Sequence, residues 1–336
     1  MRVTIKEIAE MAGVSKAAVS YAINDKDGVS EDTKKKILNI IEATNFIPNQ
    51  NSRKLTSKKN FMITIVFPAE ASPFDNLFYL EIAKAVSERC GEYDYSLSIC
   101  NLPVNEKKTP HELLSGGTDG VIFFQSAASN VLSELERLKI PFVITDAYSA
   151  ESRHVTITTD NEFFTETAMR YLILKGHRDI AFITSEYLPE YYFQTYDTYK
   201  RIISELNQHI PLEWIQSCAS DEHTAYQCMA RIIDSRHSPS AVFCAGDIFA
   251  VGAMKCASEK GYKIPDDISF MGIDDILISS YINPPLATIN IDKKEIGHIS
   301  FDLLYKMMNG ETAESVKIKT HKIMERASVK DITKNR

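Results

Sequence analysis

Ser15, Lys16 and Ala17 stand in a row at the predicted start of a short helix that runs to about Asn24. A serine in this place can cap the helix by accepting a hydrogen bond from its free backbone N–H groups. The ammonium of Lys16 can donate to O6 and N7 of guanine, whereas Ala17 can offer only an apolar contact to the methyl of thymine. Side chains at the start of a helix are the ones that meet base edges when the helix enters the major groove.

A first helix, joined to this one at Gly13, would position it for such contacts. Thr4 and Glu7 have the spacing of a capping box, so the first helix is expected to begin at Ile5. Gly13 can take the left-handed conformation that ends a helix. Apolar residues recur at helical spacing on both sides of it: Ile5, Ile8, Ala9, Ala12, Val14, Val19, Ala22 and Ile23. The pattern predicts a helix-turn-helix, although an ordinary helical hairpin fits these residues alone equally well.

A third helix would complete a small domain around the first two. It opens with a Ser30 cap, and Ile37, Leu38 and Ile41 give it an apolar stripe that can pack on the other helices. The polar segment that follows, residues 49–60, predicts a linker to the rest of the chain.

The net charge of −7 is distributed unevenly along the chain. Residues 1–60 hold eleven Lys and Arg against seven Asp and Glu, which leaves +4 there and −11 for the remaining residues. Phosphate groups attract only the basic part, because counterion release on neutralising them drives nucleic-acid binding. The charge distribution therefore favours a basic DNA-binding head on an acidic body.

The whole chain of 336 residues is long enough for two or three domains, and 44% of its residues are hydrophobic. No stretch of eighteen apolar residues occurs and the N-terminus has no signal-peptide pattern, so we expect a soluble, cytoplasmic protein. The six cysteines show neither CxxC nor metal-ligand spacing, which predicts free thiols, mostly buried, and no bound metal.

From Phe61 onwards, short β-branched or aromatic runs alternate with helical patterns. Eight strands are predicted: 63–67, 96–100, 120–124, 142–145, 155–158, 180–183, 241–244 and 268–273. Seven helices are predicted near 77–89, 131–138, 162–174, 196–206, 225–233, 250–259 and 293–308. Such alternation is typical of an α/β protein with parallel sheets covered by helices on both faces. A ligand would then bind beyond the carboxyl ends of the strands.

No motif for enzymatic chemistry accompanies this pattern. The chain contains no GxGxxG, GxxxxGK[ST], HExxH or GxSxG, so nothing predicts a nucleotide cofactor, a catalytic metal or a hydrolase nucleophile. Asp274 and Asp275 are the nearest paired carboxylates, but they lie in a turn-like segment for which we favour a structural role. His177, in a helix-exit turn, is also expected to be structural. We therefore predict no enzyme activity and no cofactor.

Six segments resemble the lactose-repressor and galactose-repressor (LacI/GalR) family of bacterial transcription regulators: TIKEIAEMAGVSKAAVSYAIN, GVSEDTKKKIL, FIPNQNSRKL, AGDIFAVGAM, IPDDISFMGIDD and PPLATI. The resemblance implies a helix-turn-helix head at 1–47, a hinge helix and linker at 48–60, and an effector-binding and dimerisation core at 61–330. It implies a periplasmic-binding-protein-like core of two doubly wound parallel-sheet subdomains, about 61–159 plus 292–322 and about 160–291. Such halves close on a small ligand by hinge motion.

The resemblance also implies which residues contact DNA. Lys16 and Ala17 would do most of the base reading, whereas Tyr21 replaces the family's common arginine and removes a guanine contact. The segment Asn49–Leu55 would fold only on the operator, with Leu55 wedged into a base step of the minor groove and Arg53 against the narrowed groove. Two such heads in a homodimer would read a pseudo-palindrome. Phosphate contacts would come from Thr4, Ser15, Ser20, Asn24 and Thr33.

Six residues match effector-facing positions of the family: Phe74, Asp75, Asn76, Asp146, Thr195 and Asp247. The carboxylates of Asp146 and Asp247 can accept hydrogen bonds from ligand hydroxyls or amines, although capping and strand-end solvation remain alternatives for both. Thr195 stands where the family has an arginine. Ser220 stands where the family has an aromatic residue, and Ile291 stands where the family has a glutamine. With three of the usual effector contacts missing, the common monosaccharide effectors of the family are not assigned to this chain.

The leading hypothesis is a dimeric repressor whose affinity for operator DNA is set by a small effector, which the family resemblance implies to be a sugar or sugar derivative. A regulator of the same family that responds to a protein or corepressor partner is the alternative. A solute-binding protein or an enzyme with an accessory helix-turn-helix is the alternative from another class. The former would need a signal peptide and no basic head, and the latter would need a convergent catalytic set.

Overall fold

The computed structural model describes residues 3–23, 27–44, 46, 59–68, 76–102, 113, 116–147, 153–185, 189–219 and 221–335. The chain divides into two compact units, the head (Met1–Phe61) and the core (Met62–Arg336). Within the described residues, no helix is both long and apolar enough to cross a membrane.

The head contains helices α1 (Ile5–Ala12), α2 (Lys16–Ile23) and α3 (Glu31–Thr44). Their buried side chains form one small core: Ile8, Ala9, Ala12, Val19, Ala22 and Ile37. The prediction for Leu38 was wrong, because this side chain is 43% exposed. Leu38 directly follows the buried Ile37 and so points about 100° further round the helix.

The first half of the core is a six-stranded parallel sheet in the order β11–β5–β4–β3–β1–β2. Its strands are β1 (Met62–Pro68), β2 (Ser96–Leu102), β3 (Gly120–Phe124), β4 (Phe142–Thr145), β5 (Thr156–Thr159) and β11 (Val316–Ile318). Its helices are α4 (Leu77–Glu92), α5 (Ser129–Leu138) and α10 (Lys293–Met308). The four inner strands, β1, β3, β4 and β5, are rich in β-branched and aromatic residues buried on both faces, as expected where helices cover a parallel sheet.

The second half is a six-stranded sheet in the order β12–β10–β9–β8–β6–β7, parallel except for the antiparallel pair β10–β12. Its strands are β6 (Ile180–Ser185), β7 (Ile215–Cys218), β8 (Ala241–Cys244), β9 (Ser269–Asp274), β10 (Ala287–Ile291) and β12 (His321–Met324). Its helices are α6 (Asn161–Leu174), α7 (Pro189–Glu205), α8 (Glu222–Ile233) and α9 (Asp247–Glu259). The expected α/β architecture with two doubly wound sheets is confirmed.

The chain crosses between the halves after β5, after β10 and after β11. The last crossing delivers a C-terminal segment that fastens the second half together. His177 is buried beneath this segment. Its ring nitrogens lie 3.1 Å from the hydroxyl of Ser240 and 3.0 Å from the carbonyl oxygen of Lys330 in the segment. Burial lowers the pKa of His177. This histidine therefore has the structural role that the sequence predicted.

All six cysteines are free thiols, and only Cys100 is not fully buried.

Candidate functional site

The first helix of the head is fixed at both ends by its own sequence. The Thr4 hydroxyl accepts a hydrogen bond from the backbone N–H of Glu7 at 3.4 Å, and the Glu7 carboxylate accepts one from the backbone N–H of Thr4 at 2.7 Å. Gly13 ends the helix with φ +69°, a left-handed conformation that costs other residues energy. The capping box predicted from sequence is thus present, and it engages the Thr4 hydroxyl.

The start of α2 is exposed to solvent. Ser15 Oγ accepts a hydrogen bond from the backbone N–H of Ala18 at 3.1 Å, so this serine caps the helix. Ser15, Lys16 and Ala17 are all exposed, whereas Val19 on the same helix is buried in the head core. The helix therefore holds its base-reading candidates outwards by burying its opposite face.

Tyr21 packs against the turn between α2 and α3. It is 40% exposed, and a Cβ atom added to Gly28 would come within 3.1 Å of the tyrosine ring. Gly28 has φ +121°, a value that also favours glycine. The ring thus covers the bare glycine, a local role that the sequence did not reveal.

The remaining predicted DNA contacts are only partly within the described residues. Ser20 is half-buried on α2, and the Thr33 hydroxyl lies 2.8 Å from the hydroxyl of Ser30, which also accepts from the Thr33 backbone N–H. Four predicted contacts lie outside the described residues: Asn24, Asn49, Arg53 and Leu55.

In the core, the carboxyl ends of strands from both halves carry polar side chains. Asp146 follows β4, and its carboxylate accepts hydrogen bonds from the hydroxyls of Tyr79 at 2.6 Å and Thr159 at 3.0 Å. The Tyr79 hydroxyl accepts in turn from the amide of Gln125 at 2.7 Å. Gln125 and Asp146 both have positive φ, at 66° and 54°. Such strain in non-glycine residues is concentrated at functional sites.

The same hydrogen-bonded chain continues into the second half. The Thr159 hydroxyl lies 3.1 Å from the amide oxygen of Asn161, the first residue of α6. The side-chain amide of Asn161 donates to Gln194 of α7 at 3.0 Å. An unbroken series of polar contacts therefore joins Asp146 to both halves of the core at the first crossing.

Asp247 is completely buried in the second half and its carboxylate has protein partners on both oxygens. Oδ2 accepts from the backbone N–H of Ile276 at 3.1 Å and the hydroxyl of Ser279 at 2.6 Å, and Oδ1 accepts from the hydroxyl of Thr288 at 2.6 Å. Burial raises the pKa of Asp247 to about 7, against the opposing effect of these hydrogen bonds. Asp247 therefore holds the loop after β9 in place. The sequence had left a structural role and effector binding as alternatives for this residue.

Two other effector candidates are also engaged by the protein. The Thr195 hydroxyl, fully buried, donates to the carbonyl oxygen of Tyr191 at 2.9 Å and lies 3.1 Å from the hydroxyl of Thr184. Asn76 caps α4 by accepting from the backbone N–H groups of Phe78 at 3.0 Å and Tyr79 at 3.3 Å. The last two candidates, Phe74 and Asp75, lie outside the described residues.

Sequence reasoning did not select Tyr79 and Gln125, the two residues that form the hydrogen-bonded group with Asp146. The Tyr191 hydroxyl donates to the carbonyl oxygen of Ala245 at the end of β8. Asp274 ends β9, and burial followed by the charge of Asp247 raises its pKa, with Asp146 adding to the effect. The charge of Asp146, in the first half, is therefore felt at Asp274 in the second. Asp274 was visible in the sequence only as one of two paired carboxylates.

Comparison with known proteins assigns both units. The model of the bacterial regulatory proteins of the lacI family matches residues 4–49, and that of a periplasmic binding protein-like domain matches residues 169–329. The HTH-type transcriptional repressor PurR of Pasteurella multocida (strain Pm70) is 31% identical over 97% of this chain and 98% of its own length. This chain belongs to the lacI family. The catabolite control protein A of Priestia megaterium, 28% identical over 98% of the chain, is a further relative.

Solved structures of the lacI family agree with this fold. The lac repressor dimer bound to operator and the anti-inducer ONPF has a TM-score of 0.79 at 22% identity, over 98% of this chain and 100% of that one. The CelR–cellobiose complex has a TM-score of 0.70 at 21% identity, over 97% and 100%. At this identity, the likeness shows the fold alone.

The chain is accordingly a DNA-binding transcriptional repressor of the lacI family. Its sequence relatives are repressors and a control protein, which rules out the enzyme hypothesis. The family assignment also explains why the head carries the excess of positive charge, since only this unit has to approach phosphates.

Proposed function

We propose that this repressor binds a pseudo-palindromic operator as a homodimer and that a small polar effector, a sugar or sugar derivative, binds between the halves of the core and sets its DNA affinity. The proposed domain organisation is a helix-turn-helix DNA-binding domain at 1–47, a hinge helix and linker at 48–60, and an effector-binding and dimerisation domain at 61–330. The observation that carries the DNA-binding part is the capped start of α2, which holds Lys16 and Ala17 exposed side by side.

Exposed apolar side chains support self-association of the core. Leu277 and Tyr281, in and beside a short helical turn of the second half, are 67% and 76% exposed, with Ile278 between them. In the first half, Leu80 of α4 and Ile99 of the edge strand β2 are also exposed. Apolar patches of this kind mark interaction sites, and an isologous contact would cover the same patch on both copies.

The polar groups around Asp146 support a hydroxyl-rich or amine-bearing effector. Tyr79 and Gln125 form a hydrogen-bonded group with this carboxylate at the strand ends, where ligands of α/β folds bind. Two structures of similar fold contain carbohydrates: the CelR–cellobiose complex, and an Enterococcus faecium regulator with bound ribose (TM-score 0.70, 24% identity). These ligands belong to those proteins, and they make carbohydrates the first class to test here.

Effector and operator would be coupled through the hinge segment. An effector that favours one arrangement of the core halves would decide whether the two copies of Asn49–Leu55 fold together on DNA. In this proposal Leu55 wedges into a base step and Arg53 follows the narrowed minor groove. Such coupling free energies are typically about 1–3 kcal/mol, and they are reciprocal between the two ligands.

The effector site is tested by a thermal-shift screen of the full chain with a carbohydrate panel, repeated on Asp146→Asn and on the control Asp119→Asn. Asp119 directly precedes β3 and so lies at the amino ends of the strands, whereas Asp146 follows β4 at their carboxyl ends. A ligand at about 100 times its Kd should stabilise the protein by about 2.7 kcal/mol, several degrees in Tm. We expect Asp146→Asn to remove this shift and Asp119→Asn to keep it.

Two outcomes would count against the proposed site. A ligand shift that survives in Asp146→Asn would place the effector elsewhere. No shift with any carbohydrate would favour the alternative of a protein or corepressor partner.

A further inference from the structure

Lys293 is a buried lysine at the second crossing between the core halves. Its side chain is only 6% exposed, although lysine is one of the residues least often buried. It is the first residue of α10, a helix of the first half that packs along α4. Its own backbone therefore belongs to the first half, directly after the chain has left β10 of the second.

The ammonium of Lys293 reaches back to the second half. It donates to the carbonyl oxygens of Asp274 and Asp275 (3.0 Å for Asp275), at the carboxyl end of β9, and lies 3.3 Å from the carbonyl oxygen of Ile291. These three acceptors match the three N–H groups of an ammonium. Asp274 and Asp275 have φ of 112° and 53°, so the backbone that presents these carbonyls is held in an unusual conformation.

The charge of Lys293 is balanced from the first half. Glu81 Oε2, on α4, lies 3.9 Å from the ammonium. The charge of Lys293 also offsets part of the rise that burial causes in the pKa of Asp274. One ammonium therefore contacts the backbone of one half and a carboxylate of the other. A buried cation is stable only with such compensation, because removing either partner leaves an unpaired group.

We propose that Lys293 is a positioning residue that sets the relative orientation of the two core halves, fastening the carboxyl end of β9 to α10 and α4. Its loss would release Asp274 and Asp275 from the first half while leaving each sheet intact, because the strand ladders do not depend on it. The halves would then sample a wider range of hinge angles. This inference concerns the mechanics of the core and is independent of DNA and effector.

The neighbouring residue offers a matched control. Lys294 is the second residue of the same helix and its ammonium lies 3.9 Å from the carboxylate of Glu88 on α4, but its side chain is 67% exposed. Lys294→Met and Lys293→Met remove the same charge and the same kind of ion pair from adjacent positions. Glu88→Gln and Glu81→Gln form a second matched pair, with side chains 45% and 38% exposed.

The test is a pulsed electron–electron distance measurement between spin labels at Ser133 of α5 and Gln227 of α8, both exposed and in opposite halves. Cys100→Ser serves as the background, since the other five cysteines are buried. Labelled protein is diluted with unlabelled protein so that each pair lies within one chain. We expect Lys293→Met to shift or broaden the distribution by about 3 Å or more, and Lys294→Met to match the background protein.

Identical distributions for Lys293→Met and the background protein, with equal circular dichroism, would overturn the proposal. If Lys293→Met does not fold, the glutamate pair decides. Glu81→Gln should then change the distribution in the direction of greater spread and Glu88→Gln should not. Equal distributions for these two variants would equally overturn the proposal.

Discussion

Replacing Lys16 by alanine is expected to lower the affinity of this repressor for its operator by about 30-fold or more, because a lysine–guanine contact contributes about 1–3 kcal/mol of discrimination in each half-site. Lys16 is exposed at the capped start of α2, so the substitution should leave the head folded. The measurement is a fluorescence-anisotropy titration of operator and scrambled DNA at fixed salt, since salt alone changes phosphate binding.

Lys35→Ala is the control, because it removes one positive charge from an exposed position of α3. It should weaken binding to both DNAs by a similar small factor and preserve their ratio. A Lys16→Ala protein that keeps the full ratio between operator and scrambled DNA would show that base reading lies elsewhere in the head.

Gly252→Ala is expected to destabilise the core by about 3 kcal/mol, the upper part of the range for overpacked interiors. Gly252 lies on α9 where it crosses the start of α8, and an added Cβ would stand 2.0 Å from the carbonyl oxygen of Glu222. That oxygen is backbone and cannot rotate away, so α8 itself would have to move. The measurement is the free energy of unfolding of the full chain in urea.

Gly91→Ala is the matched control, because Gly91 is also helical, on α4, and an added Cβ there meets nothing within 4 Å. Alanine should stabilise that helix by about 0.5–1 kcal/mol. Equal unfolding free energies for the two variants would contradict the close packing of α8 and α9.

The head was predictable from sequence because its signals are local. The capping box of Thr4 and Glu7, the left-handed Gly13 and the Ser15 cap act within three or four residues, and each is present. In the core, short runs of β-branched and aromatic residues predicted most of the strands, and helical periodicity predicted the helices. Four strands of the described residues were not predicted: β7, β10, β11 and β12. The first of these, β7, has no apolar run because Ile215, Gln216 and Ser217 are only half-buried at a sheet edge.

The core site was less predictable because its contacts join residues far apart in sequence. The partners of Asp247 lie at positions 276, 279 and 288, so nothing near Asp247 showed that the carboxylate was already engaged. Lys293 resembled an ordinary surface lysine because its acceptors are backbone carbonyls, which carry no sequence signal. The positions of Asp146 and Thr195 came from the family resemblance, and only the structure showed that Thr195 faces the interior.

The central claim is that this chain is a sequence-specific repressor that responds to a ligand in its core. It is tested most directly by anisotropy titration of the full chain with DNA from immediately upstream of its own gene and with scrambled DNA, at roughly physiological salt. We predict about 10³-fold or greater preference for the upstream DNA, changed by the carbohydrate that stabilises the core. Equal, weak and salt-sensitive binding to both DNAs, unchanged by any ligand, would contradict the account.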